Sequence, residues 1–147
     1  MHFIPRKPLP HAAPAWVASG SLYFVTINAA ARGSSVLTEP SSTAEALLVS
    51  AAFYHHNNHW FARLILLMPD HLHALLAVPA DKSIQTTIGH WKRYTARSLK
   101  ISWQRDFFDH RLRFDESWQL KAAYVRENPV RKGLVASPAD WPWVFEG

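Results

Sequence analysis

The sequence predicts an α+β fold, an antiparallel sheet with helices packed on one face. Three observations carry this reading. Two runs rich in apolar residues, 60–67 and 71–78, flank Met68-Pro69-Asp70, the signature of a hairpin. A third run, Leu22-Tyr23-Phe24-Val25-Thr26-Ile27, is aromatic and β-branched. Stretches with helical spacing separate these runs, so the expected order is β-α-β-β-α-(β)-α. A chain of 147 residues that is 48% hydrophobic and 18% charged has the length and composition of one packed domain.

Taken in order, residues 1–20 are rich in Pro and Ala and read as an extended arm, with a single domain over 21–147. The first strand covers 22–27, and 29–40 reads as a loop. Ser42 or Thr43 is placed to cap a helix to about Tyr54, with Ala46, Leu47, Val49 and Phe53 at helical spacing. His55, His56 and His59 read as helix-end and strand-start residues. After the hairpin and the break at Pro79-Ala80-Asp81, Ser83 heads a helix to about Leu99. Residues 103–112 read as a short irregular strand or loop. Asp115 is expected to start a helix whose first turn carries two acids. That helix should stop near Asn128, because Pro129 disfavours helical geometry in the residue before it. The segment holding Gly133-Leu134-Val135 and Trp141-Pro142-Trp143 is expected to pack back on the domain.

Composition excludes several chemistries. With no cysteine there is no disulfide scaffold, Cys-ligated zinc, iron–sulfur cluster or thiol nucleophile. No apolar run approaches the ~18–20 residues of a membrane span. Prolines interrupt the N-terminal stretch where a signal peptide needs an apolar run, so a soluble protein of a reducing compartment is expected. The net charge of +5 is unevenly placed: between Lys82 and Lys132 lie twelve Lys/Arg against five Asp/Glu, a net of +7. Trp91, Tyr94, Trp103, Phe107, Phe108, Phe114, Trp118 and Tyr124 interleave with these cations. Cations grip phosphates and aromatic faces stack on unpaired bases, so the mixture suits single-stranded or distorted nucleic acid; a solvated basic face beside core aromatics has the same composition.

Three groups of residues can carry chemistry. His71 and His73 alternate on a strand, so both side chains stand on one face, roughly 7 Å apart at Cα, where two imidazoles can share a divalent ion. Tyr124 and Asn128 lie four apart and share a helix face if the helix continues that far, offering a phenol and an amide to one spot. Lys92, Arg93 and Arg97 line one side of the second long helix, as a phosphate-binding edge or a solvated face.

Together these motifs resemble a known family, the REP-associated tyrosine transposases, within the single-tyrosine HUH (His-hydrophobic-His) transposases. The matching pieces are Met68-Pro69-Asp70-His71-Leu72-His73, the basic helix Gly89-His90-Trp91-Lys92-Arg93-Tyr94-Thr95, Trp103-Gln104 with His110 and Arg113, Tyr124 with Asn128-Pro129-Val130-Arg131-Lys132-Gly133-Leu134-Val135, and Asp140-Trp141-Pro142. They fall in the family's order over about residues 20–143. Two features depart from the pattern. Phe107-Phe108 stands where many relatives carry a Tyr, and the sequence ends four residues after Trp143, where a DNA-contacting extension is therefore expected to be missing.

The resemblance implies a ferredoxin-like HUH endonuclease core acting on single-stranded DNA at a palindromic hairpin with a short flanking tetranucleotide. It implies Mg²⁺ or Mn²⁺ held by His71, His73 and, as third ligand, Asn128, with water or phosphate oxygens completing the shell. It implies Tyr124 as nucleophile, giving a 5′-phosphotyrosyl enzyme and a free 3′-OH. Lys121, one turn before Tyr124, is placed to assist the phenol or to contact phosphate. Arg105, Arg111, Arg113, Arg131 and Lys132 are the expected phosphate or base contacts, beside Lys92, Arg93 and Arg97. The partner is hairpin DNA and not a membrane, the protein is a monomer or homodimer, and the location is bacterial cytoplasm with the nucleoid. Two other readings use the same residues: a domesticated DNA-binding protein that no longer cuts, and a His-ligated metal-dependent hydrolase, for which Asp70 is the acidic side chain at hand.

Overall fold

The strand hairpin forms as its sequence requires. In the computed structural model, which describes residues 13–19 and 21–147, β2 (Phe61–Leu67) and β3 (His71–Ala77) run antiparallel, and Met68 N–H closes the turn on the His71 carbonyl at 2.8 Å. β1 (Leu22–Asn28) pairs antiparallel with the free edge of β3, matching Thr26 with His73 and Asn28 with His71. β4 (Phe108–Arg111) adds to the outer edge of β1, and β5 (Val144–Phe145) adds to β2. The result is one five-stranded antiparallel sheet in the order β4-β1-β3-β2-β5. The expected α+β architecture is present, and the returning C-terminal segment contributes an edge strand to it.

Two long helices cover one face. α2 (Ser41–His56) buries Ala44, Leu47, Leu48, Ala51 and Ala52, and α3 (Ile84–Leu99) buries Ile84, Ile88 and Trp91. They close over Val25 and Ile27 of β1 and over Leu72, Ala74 and Leu76 of β3. Each such aliphatic side chain contributes about 1.5–3 kcal/mol relative to exposure. Polar atoms within this core are paired: Trp91 Nε1 donates to Ser50 Oγ (3.0 Å) and Trp60 Nε1 to the Ala51 carbonyl (3.2 Å). Ser83 caps α3 as expected, accepting from Thr86 N–H at 2.9 Å. α2 starts instead behind Pro40, whose carbonyl accepts from Thr43 N–H, so neither Ser42 nor Thr43 is the cap.

The expectation of helices on one face is corrected. α4 (Trp118–Arg126) lies on the opposite face, where Ala122 and Val125 pack on Leu64, Leu66, Met68 and Leu75. The near-continuous apolar run of β2, buried on both sides, is the signature of a strand covered twice. Two buried residues are a slight anchor, and side-chain contacts at both ends of the helix supplement it. Arg63 lies over the Trp118 ring (4.6 Å), and Arg126 pairs with Glu146 (2.9 Å).

α4 begins three residues later than expected. The Glu116 carboxylate is occupied by Arg113 N–H (2.8 Å) and His110 Nε2 (3.1 Å), and Ser117 caps the helix instead. The helix breaks at Glu127, and a short turn α5 (Asn128–Arg131) follows with Pro129 in its first turn, close to the expected stop. Much of the expected N-terminal arm lies outside the described residues. Within 13–19 the chain is not extended: α1 (Ala15–Ser19) forms there, with Val17 packed beside Phe61 and Ala77.

His55 does more than end a helix. It is buried, and its Nδ1 accepts the Ala62 N–H at 3.0 Å where β2 shifts register against β3. Burial, then the neighbouring His56, lower its pKa from 6.5 to about 4. Between these values the unfolded chain binds a proton that the folded chain refuses, so stability falls as pH drops from 6.5 to 4. At about 1.4 kcal/mol per unit, and allowing for solvent screening of the ring, the loss is on the order of 1–3 kcal/mol. Thermal melts from pH 7 to 4 should show a smaller decline in His55→Asn, whose amide oxygen keeps an acceptor without titrating; an unchanged decline removes His55 as its source.

Candidate active site

The face that α4 covers also carries the two histidines. On β3, Leu72 enters the core beneath α2 and α3, so His71 and His73 point to the α4 side. Their rings stand 4.9 Å apart at a 78° angle. Each is held through Nδ1. His71 Nδ1 donates to Asp70 Oδ1 at 2.7 Å, and His73 Nδ1 lies 2.9 Å from Thr26 Oγ1 on the paired strand. The Asp70 carboxylate can only accept, so His71 carries its proton on Nδ1 and its lone pair on Nε2; the same tautomer of His73 donates to the Thr26 hydroxyl and leaves its Nε2 lone pair available. Asp70 is in turn fixed by Gly33 N–H (2.7 Å) and Arg32 (3.2 Å). Carboxylate–imidazole orientation of this kind is the usual support of a metal-ligating histidine.

Electrostatics keeps both rings neutral, as a ligand must be. For His73, burial, then His71, Lys121, Arg131 and Arg32, lower the pKa to about 4. For His71, burial lowers the pKa; the hydrogen bond and charge of Asp70 oppose this, and Arg32 and Lys132 add to it, leaving a net decrease. Burial raises the Asp70 pKa, but the Gly33 N–H, His71 and Arg32 outweigh it and hold the carboxyl below its ordinary value.

Tyr124 sits on α4, 62% exposed, with its ring under the Arg131 guanidinium at 4.0 Å. Arg131 Nη2 also donates to the Tyr124 carbonyl at 2.9 Å, where the helix breaks, so one side chain fixes both backbone and ring. Lys121, one turn earlier, lies over the Phe24 ring at 4.4 Å, and Phe24 stacks on His73 at 5.4 Å. A continuous set of contacts thus runs from the histidines through Phe24 and Lys121 to the helix that carries Tyr124. Asn128 follows half-buried as the first residue of α5.

Comparisons with known proteins bear on this arrangement. No protein-family model matches the sequence. A REP-associated tyrosine transposase of Escherichia coli is 27% identical over 131 residues, covering 84% of this chain and 75% of that one. A Haemophilus influenzae protein, provisionally given the same name, is 29% identical over 96 residues, 54% of each chain. The fold agrees: a REP-associated tyrosine transposase bound to a REP hairpin superposes with a TM-score of 0.74 over 85% of this chain and 76% of that one, at 23% identity. The chain is similar in sequence to REP-associated tyrosine transposases and shares the fold of one. It spans about half the length of the Haemophilus relative. A Deinococcus radiodurans protein provisionally named a transposase shares the fold more loosely, with a TM-score of 0.50 at 17% identity over 84% of this chain and 96% of that one.

The basic residues expected to meet DNA divide four ways. Arg131 and Lys132 lie beside the histidines, close enough to shift them. Arg105, Arg111 and Arg113 are exposed on and around β4, and Arg113 also pairs with Asp115 (3.9 Å) and Glu116 (3.7 Å). Arg93 and Arg97 are exposed on α3, across the sheet from Tyr124. Lys92 is a correction. It is buried and donates to the carbonyls of Gln104 (2.8 Å) and Arg105 (3.0 Å), so it shapes the approach to β4 and is unavailable to phosphate. The helical spacing that set Lys92 beside Arg93 also put it next to buried Trp91, on the inner edge of the helix.

Sequence reasoning missed Thr26, Phe24 and Arg32. The alternation of β1 already placed Phe24 and Thr26 on one face, but the pairing that brings them to His73 is set by the register of two strands 47 residues apart.

Proposed function

We propose that this protein cuts and rejoins single-stranded DNA beside hairpin-forming repeats, using Tyr124 as nucleophile. One observation carries the reading: two histidines, each held at Nδ1, share a sheet face with the helix that bears an exposed, arginine-clamped tyrosine. The names of the relatives, and the hairpin in the complex of one REP-associated transposase, point the same way.

His71 and His73 fit a divalent ion, with Asn128 as the proposed third protein ligand. Among the described residues no three His, Cys, Asp or Glu side chains cluster to hold a metal, so the shell relies on an amide and on water or phosphate oxygens. Such donors suit Mg²⁺ or Mn²⁺. When bound, that ion polarises the scissile phosphate and stabilises its developing charge.

The rest belongs to the chain's own side chains. Tyr124 Oη attacks the phosphorus, forming a Tyr–O–P bond to the 5′ side while the P–O3′ bond breaks; the phenol gives up its proton and the departing 3′ oxygen gains one. Arg131 holds the ring, and Lys121 and Lys132 supply positive charge to the flanking phosphates. The phosphodiester energy is retained in the tyrosyl ester, so a second 3′-OH can displace Tyr124 and join without ATP.

The hydrolase reading is disfavoured because Asp70, its prospective acidic ligand, is occupied by His71, Gly33 and Arg32. No helix among the described residues is long and apolar enough to cross a membrane. The test is to incubate the protein with labelled hairpin DNA from its own genomic flanks, with Mn²⁺ or EDTA, and run a denaturing gel. A metal-dependent shifted band supports the reading. Tight binding without a band moves it to a non-cutting hairpin binder, and cleavage without a covalent species makes it a hydrolase.

A further inference from the structure

Two phenylalanines on and just beyond β4 are exposed. Phe108 on the edge strand β4 is 57% exposed, and Phe114 is fully exposed. Phe108 pairs with Thr26, so it shares the face of the histidines, and its ring meets Phe24 edge-on at 6.3 Å. Phe24 also stacks on His73 at 5.4 Å, and Lys121 lies over its ring. An aromatic floor therefore runs from His73 through Phe24 to Phe108 and ends at the sheet edge.

Phe114 stands at the tip of a turn that is pinned shut. Leu112 N–H donates to the Leu22 carbonyl (2.8 Å), Glu116 N–H to the Arg113 carbonyl (2.9 Å), and the Glu116 carboxylate accepts from Arg113 N–H and His110. An apolar side chain held out of a well-bonded turn is displayed rather than left loose. Arg111, Leu112, Arg113, Phe114 and Asp115 line an open groove past the end of β4, with two cations against one carboxylate. Unpaired bases offer apolar π faces and their phosphates negative charge, which matches a row of aromatics edged by arginine and lysine.

We propose that Phe108 and Phe114 are stacking platforms for unpaired bases of the strand that runs from the scissile phosphate over the β4 edge. The proposal rests on the function proposed above and adds the path of the strand. Its polarity of charge and its continuity with Phe24 favour a nucleic acid over a protein partner.

The experiment compares two DNAs, a hairpin with a single-stranded flank and the same hairpin without it, against wild type, Phe108→Ala, Phe114→Ala and Phe108→Trp. Each alanine variant should weaken binding of the flanked hairpin about 5- to 100-fold, the usual range for losing one stacked base, and leave the bare hairpin nearly unchanged. Phe108→Trp should bind the flanked hairpin as wild type does. With 2-aminopurine placed along the flank, wild type should quench one or two positions, and the alanine variants should release them. Alanine variants that bind both DNAs as wild type does, or that weaken both equally, overturn the inference. A wild type that binds both DNAs equally well overturns it alone, whereas a wild type that binds neither overturns the proposed function as well.

Discussion

Tyr124→Phe, a change of one oxygen, should remove the covalent protein–DNA species and lower cleavage by about 10⁴-fold or more, as losing a nucleophile does. Hairpin affinity should stay near that of wild type. The ring is 62% exposed, so the hydroxyl supports no core packing, and the Arg131 guanidinium stacks on the face of the ring. The Arg131 bond to the Tyr124 carbonyl is likewise untouched. A quantitative mobility-shift titration alongside the denaturing gel separates the two effects. Full cleavage by the variant assigns the nucleophile elsewhere; Tyr23, Tyr54 and Tyr94 are the other tyrosines of the chain.

His73→Ala should cost cleavage about 10²–10³-fold, the scale of losing one group that stabilises charge in the transition state. His71→Ala should behave alike, since the two rings stand together at 4.9 Å. Removing His73 also takes away the partner of Thr26 Oγ1 and one of the contacts of the Phe24 ring, so a gentler variant guards against misfolding. Asp70→Asn retains shape but weakens the anchor of His71 Nδ1, and should raise the Mn²⁺ concentration for half-maximal cleavage about 10- to 100-fold. Hairpin binding in EDTA should be the same for all three variants and wild type. Cleavage by His73→Ala at the wild-type rate would separate the histidines from the chemistry.

Much of the scaffold was legible because it depends on local pattern. The hairpin announces itself in two apolar runs around Met68-Pro69-Asp70, and Ser83 caps its helix by a short-range bond. His71 and His73 share a face because a strand has a period of two. What local pattern could not show was which helix covers which face. β2 is buried on both sides, a hint of two layers, yet only the packing of Ala122 and Val125 puts α4 on the sheet face that carries the histidines. Charge was legible as composition but not as exposure: Lys92 looks like Arg93 in the sequence, and one is buried on backbone carbonyls while the other faces solvent. Asp115 and Glu116 suit a helix start by charge, but a competing bond from Glu116 to the Arg113 N–H closes a turn first. The supports of the histidines, Thr26 from a distant strand and Arg32 through Asp70, arise from tertiary pairing that no short window contains.

The central claim is that Tyr124 becomes joined to DNA, and peptide mapping of the adduct tests it most directly. Wild-type protein would be reacted with hairpin DNA and Mn²⁺, trimmed with nuclease, digested with trypsin and analysed by mass spectrometry. Trypsin cuts after Lys121 and Arg126, so the nucleotide mass should appear on the peptide Ala122-Ala123-Tyr124-Val125-Arg126 and fragment to Tyr124. The same mass on a peptide carrying Tyr23, Tyr54 or Tyr94, or cleaved DNA with every tyrosine peptide unmodified, would contradict the account.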